Sequence, residues 1–248
     1  MSATERPVLI TIPVSHFCEK ARWALDRAGI DYEERRYLPA LHRAFAGRHG
    51  SLTTPVLVCR EAGTLKESRE IVEYAAARGA RIACDEPEAR ALADDHDERL
   101  GPATRLWIYH ALLDRPDITT AAMTAGVSAW QRAFWRVGVK PIGFAVSTVL
   151  KIDDDSARDA ERTFRAVFAE VGARLADGRP YLAGDAFSIA DLTFAALAAP
   201  IVAPPEYAVP LPPVDALPEP VAQVVREHRD SPAGRHALRM FATERTAL

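Results

Sequence analysis

Residues Val8–Leu25 read VLITIPVSHFCEKARWAL. Val8 to Ile12 is a short β-branched apolar run and Pro13 ends it. A polar turn then leads into Cys18 to Ala28, where apolar residues recur at helical spacing. The pattern predicts a strand, a turn and the N-terminus of a helix. Unpaired backbone N–H groups and the positive end of the helix dipole at such a terminus suit an anion, a thiolate included. Ser15 and Cys18 stand at that end. A hydroxyl at Ser15 can donate a hydrogen bond to a bound thiolate, or it can serve only to cap the turn. Cys18 can itself be a thiolate of lowered pKa, or a thiol packed inside the helix.

Working outward, Gly29 sits where a helix C-cap belongs, and Asp31 to Tyr37 reads as a second strand. Its charged alternation suits a sheet edge. Leu38 to Ser51 connects, with a short helix. Val56 to Cys59 and Thr64 to Lys66 form a hairpin about Glu61–Gly63, and Ser68 is expected to cap a helix reaching Ala77. Strand signals stop between Gly79 and Pro87, which marks a linker.

Beyond it the chain is helical. Glu88 to Leu113 reads as one long amphipathic helix ended by Pro116. Thr119 to Ile152 holds Trp130, Phe134, Trp135 and the run PIGFAVSTVL (141–150). That run is too short to span a bilayer; it fits a buried helix pair, or a membrane-surface or large apolar substrate site. Asp153–Asp155 cap a helix over Ser156–Leu175. Ser188 and Asp191 have capping-box spacing, flanked by Phe187 and Leu192 as a hydrophobic staple. The helix from Ile189 should end before Pro200, with an extended Pro-rich stretch to Pro220.

Composition narrows the class. The 248 residues are 48% hydrophobic and 26% charged, and 31 basic against 34 acidic side chains leave a net charge of −3. This balance argues against nucleic acid as a partner. The opening MSATERPVLI has no apolar signal core, so a cytoplasmic location is expected. Cys18, Cys59 and Cys84 are odd in number and lack metal-ligand spacing, which favours neither a disulfide framework nor a metal site.

SHFCEKARWAL resembles the active-site segment of the soluble glutathione transferases. Three other pieces agree in order and spacing. TTPVLV (53–58) resembles the segment carrying the family's cis-proline, ESREIVEYA (67–75) its Glu-Ser motif, and YLAGDAFSIADLTFAA (181–196) the capping-box segment of its helical domain. The resemblance implies an α/β thioredoxin-like N-terminal domain (1–80) and an all-α C-terminal domain (88–248). It also implies a bacterial-like member with serine at the catalytic position of an omega- or zeta-like motif. Glutathione would be co-substrate, a small apolar electrophile its partner, and a homodimer the assembly, with no membrane span.

Carried over residue by residue, Ser15 is the catalytic hydroxyl, with Cys18 as the alternative. Phe17, Thr54, cis-Pro55, Glu67 and Ser68 join Ser15 in binding glutathione, Glu67 and Ser68 receiving its γ-glutamyl end. His42, Arg43, Arg48 and His49 face its carboxylates or else only solvent. Tyr37, Trp107 and Tyr109, with Trp130 and Trp135, are expected around the electrophile. The chain departs from the family at Thr53, where lysine is common, and at His16, where cysteine-type members carry proline. Cys18 matches the second cysteine of a glutaredoxin-like pair whose first member is missing, since Ser15 is not a thiol.

The chemistry expected of Ser15 is thiol activation. Lowering a thiol pKa from about 8.5 to about 6.5 raises the thiolate fraction at pH 7 from a few per cent to about three quarters. A helix dipole and one hydroxyl hydrogen bond supply roughly the 2.7 kcal/mol this requires. Two other readings use the same residues: a glutathione-dependent reductase or isomerase working through Cys18, and a carrier holding a hydrophobic ligand in the 119–152 region.

Overall fold

The computed structural model describes residues 6–245, apart from the side chain of Lys140. The reading of Met1–Glu5 as lacking a leader lies outside these residues. The chain opens as expected with β1 (Val8–Thr11) and α1 (His16–Arg27), then β2 (Glu33–Arg36), α2 (Leu41–Ala46), β3 (Val56–Cys59), β4 (Gly63–Leu65) and α3 (Ser68–Ala76). The strands lie in the order β2-β1-β3-β4, with β1 and β2 parallel and the other neighbours antiparallel. The charged strand is indeed at an edge.

Alternation along β1 and β3 gives the sheet two buried faces. Leu9 and Leu57 pack with Trp23, Ile71 and Val72 from α1 and α3. Ile10 and Val56 point the other way, onto Ala46 of α2. Glu67, not Ser68, is the N-cap of α3, in a capping box whose other member is Glu70. The Glu70 carboxylate accepts the backbone N–H groups of Lys66 and Glu67 at 2.7 and 3.1 Å.

The remaining helices are α4 (Pro87–Asp95), α5 (Gly101–Leu112), α6 (Pro116–Met123), α7 (Ala129–Leu150), α8 (Asp154–Arg174), α9 (Ile189–Val202), α10 (Glu219–Asp230) and α11 (Pro232–Glu244). The expected single helix over 88–113 is α4 and α5 joined by a π-helical turn, His96–Leu100. Pro102 explains the turn: it lacks an N–H and its ring clashes with the carbonyl four residues back, a conflict that a widened turn relieves. Pro116 does not terminate a helix but starts α6, where its missing N–H costs nothing.

Helix α9 is buried along nearly its whole length and has no polar face, so it forms the centre of the helical half. It runs through Pro200 rather than stopping before it. At its start Asp191 accepts the Ser188 hydroxyl at 2.6 Å and the Leu182 N–H at 2.8 Å, and meets His236 Nε2 at 3.0 Å. These fully buried groups are a folding device, as the capping-box spacing implied.

Helix α1 is wedged between sheet and helices, and the charges of its EKAR segment are buried. Lys20 Nζ lies 2.7 Å from Asp97 in the π turn, Arg22 Nε 2.7 Å from Glu34 of β2, and Glu19 2.7 Å from Arg245 beyond α11. Trp23 Nε1 donates to the Glu244 carbonyl. The turn that precedes α1 is thereby held from both halves of the chain. No helix among the described residues is long and apolar enough to cross a membrane.

Candidate functional site

Ser15 is the N-cap of α1, which starts two residues earlier than the sequence pattern indicated. Its Oγ accepts the Cys18 backbone N–H at 3.3 Å, and its own N–H donates to the Ile12 carbonyl at 3.2 Å. A serine hydroxyl has two acceptor sites and one donor. The cap uses an acceptor, so the O–H remains able to donate.

Ser15 opens onto a cavity of about 450 Å³. One wall is the β1–α1 turn with Phe17; a second is Leu52–Thr54, which leads into the cis Thr54–Pro55 peptide bond. The far walls come from Arg105, Ile108 and Tyr109 of α5, from Met123 of α6, and from Trp135, Ile142 and Val146 of α7. Tyr207, after α9, closes the floor, and its hydroxyl donates to the Val14 carbonyl at 3.0 Å, pinning the turn just before Ser15.

Cys18 is not on this wall. Its side chain is fully buried, and burial pushes its thiol pKa up despite the opposing pull of Arg22 and of the Ser15 and Thr54 side chains. A neutral, enclosed thiol is a poor nucleophile, which favours the packed-thiol alternative for Cys18. Three of the expected pocket aromatics are elsewhere. Trp107 packs edge-on against Phe164 in the main core, because its position on α5 faces α8 rather than the cavity. Tyr37 stacks on Phe45 of α2, ring centroids 3.8 Å apart. Tyr109 and Trp135 do line the cavity, while Trp130 is exposed.

Thr54, Phe17 and Ser15 thus share one cavity. Pro55, Glu67 and Ser68 lie outside its lining; Glu67 is exposed at the start of α3 and Ser68 is buried beneath it. Of the basic cluster, His42 and Arg43 reach the cavity rim and Arg48 stacks on Phe45.

Other side chains have no motif to announce them. His16 is buried, and its Nε2 donates to the Gly101 carbonyl at 3.0 Å. Burial, reinforced by the nearby Arg105 charge, lowers its pKa to about 3, so it is a neutral strut between α1 and the π turn. Gly101 has no room for a side chain: an added Cβ would meet the Phe17 ring at 2.4 Å. Gln131 fastens α7 to the strand exit, accepting the Leu38 N–H at 3.0 Å and donating to the Arg36 carbonyl at 3.1 Å. Arg105, half-buried, is a cation on an otherwise mostly apolar surface and makes no ion pair with a described residue. Only the Gly-Pro pair inside a helical pattern, Gly101–Pro102, was a visible signal for any of these.

Residues 9–81 match the model of the glutathione S-transferase N-terminal domain, and residues 153–226 that of the C-terminal domain. Residues 82–152, which include α6 and α7, are matched by neither. No curated protein matches the chain in sequence. Among solved structures, glutathione transferase GSTFuA3 from Phanerochaete chrysosporium superposes with a TM-score of 0.59 at 14% identity over 98% of each chain. The β-etherase LigF from Sphingobium sp. strain SYK-6 gives 0.58 at 16%, covering 95% of this chain and 99% of its own. A glutathione S-transferase-I bound with lactoylglutathione gives 0.51 at 18%, covering 95% and 100%. At such identities the likeness is one of fold. The family models carry more, and since they match both halves of the chain in the family's own order, the chain belongs to the glutathione S-transferases.

Proposed function

We propose that the chain binds glutathione along the β1–α1 turn and joins its sulfur, as the whole glutathionyl group, to an apolar electrophile held in the cavity. The observation that carries this reading is the position of Ser15: its oxygen is fixed by the cap to Cys18 N, the cap leaves its O–H able to donate, and it opens onto the space where an electrophile would lie. The thiol proton leaves to solvent, the Ser15 O–H and the α1 N-terminus stabilise the sulfur anion, and the thiolate attacks with loss of a leaving group or by addition. Thr54 supplies backbone hydrogen bonds to the cysteinyl part. Glu67 and the free N–H groups at the start of α3, with Ser68, take the γ-glutamyl end.

Arg105 refines the electrophile. A guanidinium with no ion-pair partner among the described residues, on a mostly apolar wall, favours a substrate with an aromatic or aliphatic body and an acidic group. The enclosure of Cys18 weighs against the reductase reading, because that mechanism needs a reachable thiolate. A dimeric assembly, a cytoplasmic location and domain limits near residues 80 and 88 belong to the same proposal. The test is calorimetric titration with glutathione, on the protein and on Ser15→Ala, with thiolate absorbance read alongside. Binding with a thiolate signal that vanishes in the variant is expected; no binding at millimolar glutathione would sink the proposal and turn attention to a carrier role for the cavity.

A further inference from the structure

Of the two readings of 119–152, a buried helix pair or an apolar surface or substrate site, the first describes one side of α7 only. Trp135, Ile142 and Val146 face the cavity, but Trp130, Phe134, Val137 and Phe144 are 53%, 40%, 81% and 75% exposed. Their spacing, i, i+4, i+7 and i+14, places them on a single stripe of the helix. Of the six large hydrophobic side chains exposed among the described residues, five are on α7.

Charge is distributed as unusually as the apolar surface. Between Asp117 and Asp153 there is no carboxylate, while Arg132, Arg136, Lys140 and Lys151 are basic, in a chain whose overall charge is −3. Arg132 and Arg136 are exposed. The helix therefore has three faces: one against the cavity, one apolar and open, and one cationic.

We propose that the outer face of α7 docks on an anionic lipid surface, the helix lying in the plane of the headgroups. Exposed aromatic and aliphatic side chains beside arginines, with no acid among them, match what such a surface recognises. Charge complementarity disfavours a second copy of the chain. A two-fold interface would set the stripe against itself and bring the arginines of both copies together with no carboxylate on the helix to answer them. The surface also continues to the cavity mouth, because Leu52 and Val149 are both exposed and part of the cavity lining. An apolar compound dissolved in the lipid would thus reach the cavity without crossing water.

Trp130 is a built-in reporter, since Trp23, Trp107 and Trp135 are buried. The protein is mixed with vesicles of phosphatidylcholine, and with equimolar phosphatidylcholine and phosphatidylglycerol, and read by tryptophan emission and co-sedimentation. Expected are a blue shift and binding about tenfold stronger to the mixed vesicles, weakened about fivefold by Arg136→Gln and screened by salt. Phe144→Ser should also weaken it, with circular dichroism showing the fold intact. Ser15→Ala should leave vesicle binding unchanged, which separates this inference from the transferase proposal. No vesicle binding, equal binding to both vesicle types, or lipid-free dimerisation that buries Trp130 in sedimentation velocity would each overturn it.

Discussion

The Ser15 hydroxyl oxygen accepts the backbone N–H of Cys18 at 3.3 Å, so the residue proposed to activate glutathione is also the cap of the helix whose dipole assists it. Folding and chemistry meet in one atom. The cap sets where the oxygen points, and the spare donor is what remains for a thiolate.

Those two roles come apart by substitution. Ser15→Ala loses both, and is expected to cost about 1 kcal/mol of stability and about a hundredfold in kcat/KM. Ser15→Asp keeps a good cap but sets a carboxylate against the sulfur anion, so it should retain near-native stability with activity abolished. Ser15→Thr should retain most of both. Urea melts and conjugation kinetics on the three variants decide the matter; an active Ser15→Asp would show that the side chain acts only through the helix.

Cys18→Ala is expected to keep kcat/KM within about threefold while losing roughly 1 kcal/mol of stability for the small cavity left behind. Steady-state kinetics of this variant separate a packed thiol from a nucleophile, because a nucleophile's removal would end turnover.

How much of this was legible follows from which physical signals the chain prints locally. The β1–α1 junction, the segment around Pro55 and the Ser188–Asp191 box depend on short-range patterns, and each lies within two residues of where the sequence places it. The identity of the cavity wall did not, because it depends on which face of a helix meets which neighbour. Trp107 and Tyr109 are two apart on α5 and so point in different directions, one to Phe164 and one to the cavity. Helix α7 is apolar on two faces, which blurs its periodicity and leaves a buried helix pair and an exposed apolar surface equally open to the sequence. The burial of Lys20 and Arg22 leaves no local mark in the sequence, because it depends on partners in other elements, Asp97 and Glu34.

Phe17 and Gly101 make a second, sterically defined pair. Gly101→Ala drives a methyl group into the Phe17 ring, 2.4 Å away, and should destabilise by about 1 to 3 kcal/mol. Adding Phe17→Leu should recover part of that loss. A double-mutant cycle in denaturant reads the coupling directly, and strict additivity would mean that the π turn and the active turn are not in contact in solution.

Acid should weaken the fold through its buried histidines. Burial lowers the pKa of His16 to about 3 and that of His96 to about 4, against about 6.5 in an unfolded chain. Between those values the unfolded state binds more protons, so stability rises with pH there; it is complete above about 6.5 and is lost as pH falls toward 4. The expected loss from pH 7 to pH 5 is about 2 kcal/mol per histidine. Urea unfolding at the two pH values measures it, and His96→Phe should remove one histidine's share. An unchanged pH dependence in that variant would mean that His96 binds its proton equally well in the folded and unfolded states.

Lys20 and Asp97 join α1 to the π turn, with Nζ 2.7 Å from one carboxylate oxygen and 2.9 Å from the other. Lys20 is wholly buried, whereas Asp97 keeps about a fifth of its side-chain surface in water. The two ends of the pair are therefore not equivalent. Asp97→Asn strands a buried ammonium and is expected to cost about 3 to 5 kcal/mol, while Lys20→Met leaves a carboxylate that water still reaches and should cost less. Replacing both, Lys20→Met with Asp97→Leu, should be nearly neutral in stability, because desolvating the two charges offsets most of their attraction. Equilibrium unfolding of the three variants at pH 7 gives the order directly. If Lys20→Met proves the more damaging single change, the ammonium must hold the π turn through more than its charge.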